Sequence, residues 1–301
     1  MDFLVLILFI TVFIIVLLFL GEKILISSIL RPKKTENQLF PSVKEKFPGE
    51  ERFTVNSASD IPISFRYIPL NDEGNKPQKI VILFHEYNSS SESMDNYIPM
   101  FRERGFSVIV PDARFCGKSG GEYLGLSYLD AEDSSAIFKW INDCFGYGIP
   151  IGLFGESFGA AQAIILACSG RYDNISFVVS DSSYSDLYSL IKERVRADYR
   201  IKPFPLLFVA RLIIKKKYGI DMKKVSPQKL LKTCGAIPMF FIHGDSDTFV
   251  LPQMSIDLYN AKETGYKKFY LAENASHCEA LNSDPQTYRN KLFEFFDKIK
   301  I

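Results

Sequence analysis

Five residues, Gly155-Glu156-Ser157-Phe158-Gly159, separate the apolar run IPIGLF (149–154) from a small-residue segment that opens with Ala160 and Ala161. A serine at the centre of G-x-S-x-G, leaving a buried strand and entering a helix at once, has the pattern of a nucleophile elbow. The turn is so tight that its flanks have no room for side chains, which accounts for Gly155 and Gly159. Ala160 and Ala161 let the helix approach the sheet. Ser157 then sits at a helix N-terminus, where amides and the helix dipole favour negative charge. The chemistry is acyl transfer, provided that a base activates the hydroxyl and an acid orients the base.

The chain has three histidines, His85, His243 and His277. His277 follows the last apolar run, in Glu273-Asn274-Ala275-Ser276-His277-Cys278, where the final member of the order Ser, Asp, His belongs. His85 and His243 end earlier runs, and His85 reads as a hydrogen-bonding residue at a strand end. The acid belongs on the loop after the penultimate strand. That loop, His243-Gly244-Asp245-Ser246-Asp247-Thr248-Phe249-Val250, offers two carboxylates, and Asp181 after FVVS (177–180) is a third. Spacing leaves all three open.

Elements that position these residues are legible as a rhythm. Arg52 to Val55 and Ile61 to Tyr67 read as a hairpin; IVILF (80–84), FSVIV (106–110), IPIGLF (149–154), FVVSD (177–181), MFFIH (239–243) and KKFYLA (267–272) follow. The central runs are continuously apolar, as strands buried on both faces of a parallel sheet are. Helical stretches alternate with them at 91–104, 128–143, 158–169, 253–262 and 285–298, which predicts an α/β fold with helices on both faces. From Ser185 to Gly235 no strand is expected, and PFPLLFVARLIIKKKYG (203–219) is apolar nearly all round. A structureless loop of that length is unusual, so a helical cap is expected over about 185–235.

Outside this rhythm lies Phe3 to Leu20, FLVLILFITVFIIVLLFL, eighteen residues without a charge. Their length approaches a bilayer core, and neither a basic n-region nor a small-residue cleavage site accompanies them. Residues 1–22 therefore read as a single-pass anchor, 23–49 as a juxtamembrane linker and 50–301 as the folded domain. Lys23, Arg31, Lys33 and Lys34 follow the span, which favours a cytoplasmic domain held at the cell membrane. Five scattered cysteines without metal-like spacing agree with a reducing compartment. A sequon at Asn274, three residues before His277, weighs mildly against a secretory lumen. A net charge of +1 gives no basis for nucleic-acid binding.

With elbow, loop and histidine in place, the chain resembles the α/β-hydrolase superfamily over about residues 50 to 300. More narrowly, it resembles bacterial membrane-anchored serine hydrolases related to the prolyl-oligopeptidase-like and monoacylglycerol-lipase-like branches. The family's HG-x-x-D-x-x-V loop matches His243 to Val250 position by position, which implies Asp247 as the acid. PDARFCGKS (111–119) is similar to the family's turn after its fourth strand, with Phe115-Cys116-Gly117 where Gly-His-Gly is usual. SPQKLL (226–231) resembles the return from cap to sheet. The resemblance implies a mostly parallel eight-stranded sheet and an oxyanion hole made by the backbone amides of Phe158 and Tyr87. The loop after VILF (81–84) commonly begins His-Gly, and here Glu86 replaces the glycine.

The expected activity is hydrolysis of a carboxylic ester, esterase- or lipase-like, through Ser157, His277 and Asp247, with no cofactor or metal required. An aminopeptidase or acyl-peptide hydrolase is the alternative, in which Glu86 or Glu156 would bind a free amine. A non-catalytic binding protein of the same fold is a second alternative. Expected partners are a small acyl ester or peptide and, through the N-terminal run, a lipid bilayer.

Overall fold

The computed structural model describes residues 19–21, 23–33, 47–70 and 76–301. Most of the apolar run 3–20 read as an anchor lies outside these residues, as do residues 34–46 of the linker. Among the described residues no helix is long and apolar enough to cross a membrane.

Eight strands form one sheet: β1 (Glu51–Asn56), β2 (Pro62–Ile68), β3 (Ile80–Phe84), β4 (Ser107–Pro111), β5 (Ile151–Glu156), β6 (Ile175–Asp181), β7 (Met239–Gly244) and β8 (Lys267–Ala272). Their spatial order is β1-β2-β4-β3-β5-β6-β7-β8. β1 and β2 form the hairpin, β2 meets β4 antiparallel, and every other pair is parallel. This is the α/β-hydrolase sheet, with β5 central between β3 and β6.

Helices α1 (Ile98–Glu103), α2 (Tyr128–Phe145), α3 (Phe158–Ala167), α4 (Leu187–Tyr199), α5 (Leu206–Tyr218), α6 (Pro227–Leu231), α7 (Gln253–Ala261), α8 (Ala280–Ser283) and α9 (Pro285–Ile299) connect the strands. The period of two along β5 decides which face each residue serves. Ile151 and Leu153 join the core under α2, α3 and α7, with Phe138, Ile164 and Leu258. Phe154 joins the opposite core under α1 and α9, with Phe101, Leu292 and Phe296. Continuous apolar strands are therefore required, because both faces are covered.

One expected helix is broken. Residues 91–104 divide into a single 3₁₀ turn at Ser91–Met94 and the short α1. Pro99 cannot donate the hydrogen bond that a continuous helix needs there, yet it is well suited to the first turn of a new one.

Between β6 and β7 lie α4, α5 and α6, without a strand. Residues 23–30, within the segment read as linker, are helical and pack into this region. Leu25, Ile26 and Leu30 share a buried cluster with Leu187, Val195, Leu207, Ala210 and Ile214 of the cap.

Candidate active site

Ser157 occupies the turn between β5 and α3 with φ 52° and ψ −110°, a backbone region that residues with side chains avoid. Its amide is fixed by the carbonyl of Asp181, 2.8 Å away. The flanking glycines have a measurable reason. A Cβ on Gly155 would lie 2.3 Å from the Gly159 backbone, and one on Gly159 would lie 2.2 Å from the carbonyl oxygen of Phe84. The elbow and the end of β3 are in backbone contact.

His277, on the loop after β8, reaches both neighbours. Ser157 Oγ stands 2.9 Å from its Nε2 and Asp247 Oδ2 stands 2.6 Å from its Nδ1. The three residues span 120 positions of sequence and meet because β5, β7 and β8 end at the same edge of the sheet. Of the three candidate carboxylates, Asp247 is the one within hydrogen-bonding distance of His277. Asp245 is exposed and bonded to Ser246, while Asp181 is buried and accepts from Ser182 and, at 2.9 Å, from Tyr288.

Asp247 is held from all sides. Its Oδ1 accepts from the amides of Phe249 and Val250 at 2.8 and 2.9 Å. Its Oδ2 also lies 3.0 Å from Nε2 of His243, which lies 2.8 Å from the carbonyl of Val250. These contacts require the proton of His243 on Nε2, with Nδ1 accepting from Ser255 at 2.6 Å. Burial opposes ionisation of Asp247, but the hydrogen bonds from His243 and His277 outweigh it and keep the carboxyl well below the usual range. The contact of His243 with Asp247 was missed from sequence; the signal was its place four residues before that carboxylate.

The loop after β3 has its own brace. His85 Nδ1 lies 2.7 Å from the carbonyl of Glu86, and the amide of Ala113 donates to Nε2 at 3.0 Å. A trans peptide sets its carbonyl and amide in opposite directions. By holding the Glu86 carbonyl, His85 thus orients the following N–H, that of Tyr87. The rings of Tyr87 and Phe158 lie 4.9 Å apart, so the two residues expected to supply oxyanion amides are neighbours. In the turn after β4, Phe115 takes φ 68°, a left-handed conformation that favours glycine.

The carboxyl of Glu86 turns toward the loop after β8, within 4.8 Å of ligating atoms of His277 and Cys278. Among the described residues these three are the one group able to converge on a metal. Both imidazole nitrogens, however, already serve Ser157 and Asp247. Burial raises the pKa of Glu86, the charge of His277 opposes that rise, and nearby Glu279 adds to it. Glu156 follows the parity of Phe154 and points toward α1 and α9, where the Tyr97 hydroxyl bonds its carboxyl. Burial and then the charge of Asp181 push Glu156 well above the carboxylate range. It is a buried acid beneath the elbow, not a carboxylate presented to solvent.

A family model described as X-Pro dipeptidyl-peptidase (S15 family) matches residues 25–201. Among curated proteins, YqkD of Bacillus subtilis (strain 168), itself described as uncharacterized, is 27% identical over 268 residues, covering 88% of this chain and 86% of its own. Among solved structures, the Pyrococcus furiosus esterase Pf2001 has a TM-score of 0.65 at 22% identity over 83% of this chain and 92% of its own. An acylaminoacyl peptidase of Pyrococcus horikoshii has a TM-score of 0.60 at 18% identity, covering 87% of this chain and 43% of its own. The family match spans more than half of the sequence, and the eight-stranded sheet agrees with it: this chain is a hydrolase of the α/β-hydrolase fold and belongs to the X-Pro dipeptidyl-peptidase (S15) family.

Proposed function

We propose that the protein is a serine esterase. Ser157 attacks the carbonyl of a carboxylic ester while His277 takes its proton. Asp247 orients the imidazole and stabilises the imidazolium. The amides of Phe158 and Tyr87 receive the developing oxyanion, a contribution of roughly 3–4 kcal/mol per donor in such sites. The alcohol leaves with the proton from His277, and water then releases the acid from the acyl-enzyme. No metal or cofactor is needed for these steps.

The observation that carries this reading is the continuous line from Ser157 through His277 to Asp247, at 2.9 and 2.6 Å. An ester is preferred to a peptide with a free amine because binding such an amine calls for an ionised carboxylate. Glu86 and Glu156 are both shifted toward the neutral form by burial. A second reading, as a serine aminopeptidase or acyl-peptide hydrolase, draws on the family and on the closeness of Glu86 to His277. The anchor belongs to the proposal as well: eighteen uncharged residues followed by basic ones support a membrane-held enzyme with its domain in the cytoplasm.

The test is covalent labelling with a fluorophosphonate probe, followed by p-nitrophenyl esters and aminoacyl-naphthylamides as substrates. Labelling that is lost in Ser157→Ala, with ester turnover, supports the esterase. Labelling that survives this change overturns the assignment of Ser157. Turnover of naphthylamides alone, abolished by Glu86→Gln, favours the peptidase. Neither labelling nor turnover returns the protein to a binding role.

A further inference from the structure

Beside the elbow lies a cavity of about 160 Å³ whose lining brings together distant parts of the chain. Leu25 and Ile29 line it together with Leu190 and Val195 of α4, and Phe158 and Phe249 line it as well. These two phenylalanines adjoin Ser157 and His277. Phe158 follows the nucleophile directly, and the ring of Phe249 lies 4.9 Å from that of His277.

The lining is mostly apolar and its charges are compensated. Arg194 and Asp198 are the charged residues at this cavity. They pair with each other, Nε to Oδ2 at 3.2 Å, and Arg194 also donates to the carbonyl of Thr248 at 3.0 Å. A charged ligand would find no unpaired partner in these two. An apolar cavity of roughly 150 Å³ accepts a six-carbon ligand such as benzene, so this volume suits an aliphatic chain of about six carbons.

The segment bearing Leu25 and Ile29 is also fastened to the catalytic loop. The Tyr87 hydroxyl donates to the carbonyls of Ser28 and Ile29, at 2.8 and 2.9 Å. Tyr199 of α4 donates to Ser28 Oγ at 3.0 Å, and the Asn88 side-chain amide donates to the carbonyl of Lys33 at 2.9 Å. The residue expected to present the second oxyanion amide is thus tied to the same stretch that walls the cavity.

We propose that this cavity binds the aliphatic acyl chain of the substrate, and that residues 25–29 are part of the active site as its outer wall. The proposal rests on the esterase reading and names its substrate class: esters of medium-length, unbranched, uncharged acids. The acyl carbonyl sits at Ser157 and the hydrocarbon tail runs between Ile29 and Leu190.

Two arms test it on the full chain in detergent. In the first, Ser157→Ala is titrated calorimetrically with methyl hexanoate, which it cannot turn over. Ile29→Trp and Leu190→Trp, placed singly in that background, are each expected to weaken binding at least tenfold. In the second, with Ser157 intact, the ratio of kcat/KM for p-nitrophenyl hexanoate to that for the acetate is expected to fall at least tenfold in both variants. Ile29→Ala, which only enlarges the cavity, is expected to move the optimum to longer chains. Ester turnover whose chain-length profile is unaltered in all three folded variants overturns the proposal and leaves the esterase reading standing. Binding of methyl hexanoate that both tryptophans block, in a protein whose Ser157 form hydrolyses no ester, upholds the site and overturns the esterase reading.

Discussion

His243 Nε2 stands 3.0 Å from Asp247 Oδ2, the same oxygen that receives His277 Nδ1 at 2.6 Å. One imidazole is fully buried and fixed, and the other faces Ser157. His243→Ala is expected to leave Asp247, Ser255 and the Val250 carbonyl short of a partner. A loss of roughly 2–3 kcal/mol in unfolding free energy should follow, because unsatisfied buried groups forfeit their solvation. Urea denaturation measures it, and kcat should fall as the carboxylate drifts.

Asp247→Asn keeps the shape of the site while removing the acceptor that fixes the tautomer of His277. A decrease in kcat of about 10⁴ with little change in KM is expected for a triad of this kind. Steady-state kinetics on a p-nitrophenyl ester provide the measurement. Because the folded-state pKa of Asp247 is depressed, its stabilising contribution is present above the ordinary carboxylate pKa. That contribution is lost only as the pH falls through the lowered value. The acid limb of the pH–rate profile should therefore belong to another group.

Glu156 and Asp181 carry the opposite sign. Burial raises both, and for Glu156 the charge of Asp181 adds to the effect. A carboxyl with a raised folded-state pKa binds more protons when folded. Its stabilising contribution is complete below the unfolded value, about 4, and is lost as the pH climbs through the folded one. Melting temperature should accordingly decline as the pH climbs above the ordinary carboxylate range. Glu156→Gln, which can still accept from Tyr97, should flatten that decline in a thermal-shift series.

Gly159→Ala would set a methyl group 2.2 Å from the Phe84 carbonyl oxygen and 2.6 Å from that of His85. Backbone must move to admit it, displacing α3 from the loop that carries Tyr87. Overpacking of this sort costs about 1–3 kcal/mol. A lowered melting temperature together with slower fluorophosphonate labelling is the expected pair of results.

Arg114 and Asp133 form a buried two-point pair, both contacts at 2.6 Å, with side chains 2% and 5% exposed. Removing one partner strands the other, so Arg114→Ala should lose roughly 3–5 kcal/mol. Arg114→Met combined with Asp133→Leu should recover most of it, which a double-mutant cycle in urea would read.

Much of this molecule was legible before its structure was known, for identifiable reasons. The strands of the sheet were found within about two residues because burial on both faces demands uninterrupted apolar runs. The sharp turn at Ser157 was legible because it forces glycine at two positions, and those demands survive as a sequence pattern. Other relations left weaker traces. The grip of His243 on Asp247 depends on the path of the loop after β7, and a histidine at a strand end does not announce its partner. The carboxyl of Glu86, considered from sequence as a binder of a free amine, lies beside His277 and Cys278, where burial raises its pKa. The segment 23–30 looked like a linker because its charged ends masked Leu25, Ile26 and Leu30. Their buried partners come from the cap, far along the chain, and no local period reveals such a match.

The backbone at Ser157, with φ 52° and ψ −110°, also limits which nucleophiles evolution or design can install here. A β-branched residue is strongly disfavoured at positive φ, since its second γ-substituent meets the chain on either side. Ser157→Thr therefore carries the right hydroxyl in the wrong frame, while Ser157→Cys preserves the unbranched shape with a different atom at its tip. The accessible repertoire at this turn is thus set by branching before reactivity: a thiol-based descendant is open to this scaffold, and a threonine-based one is closed.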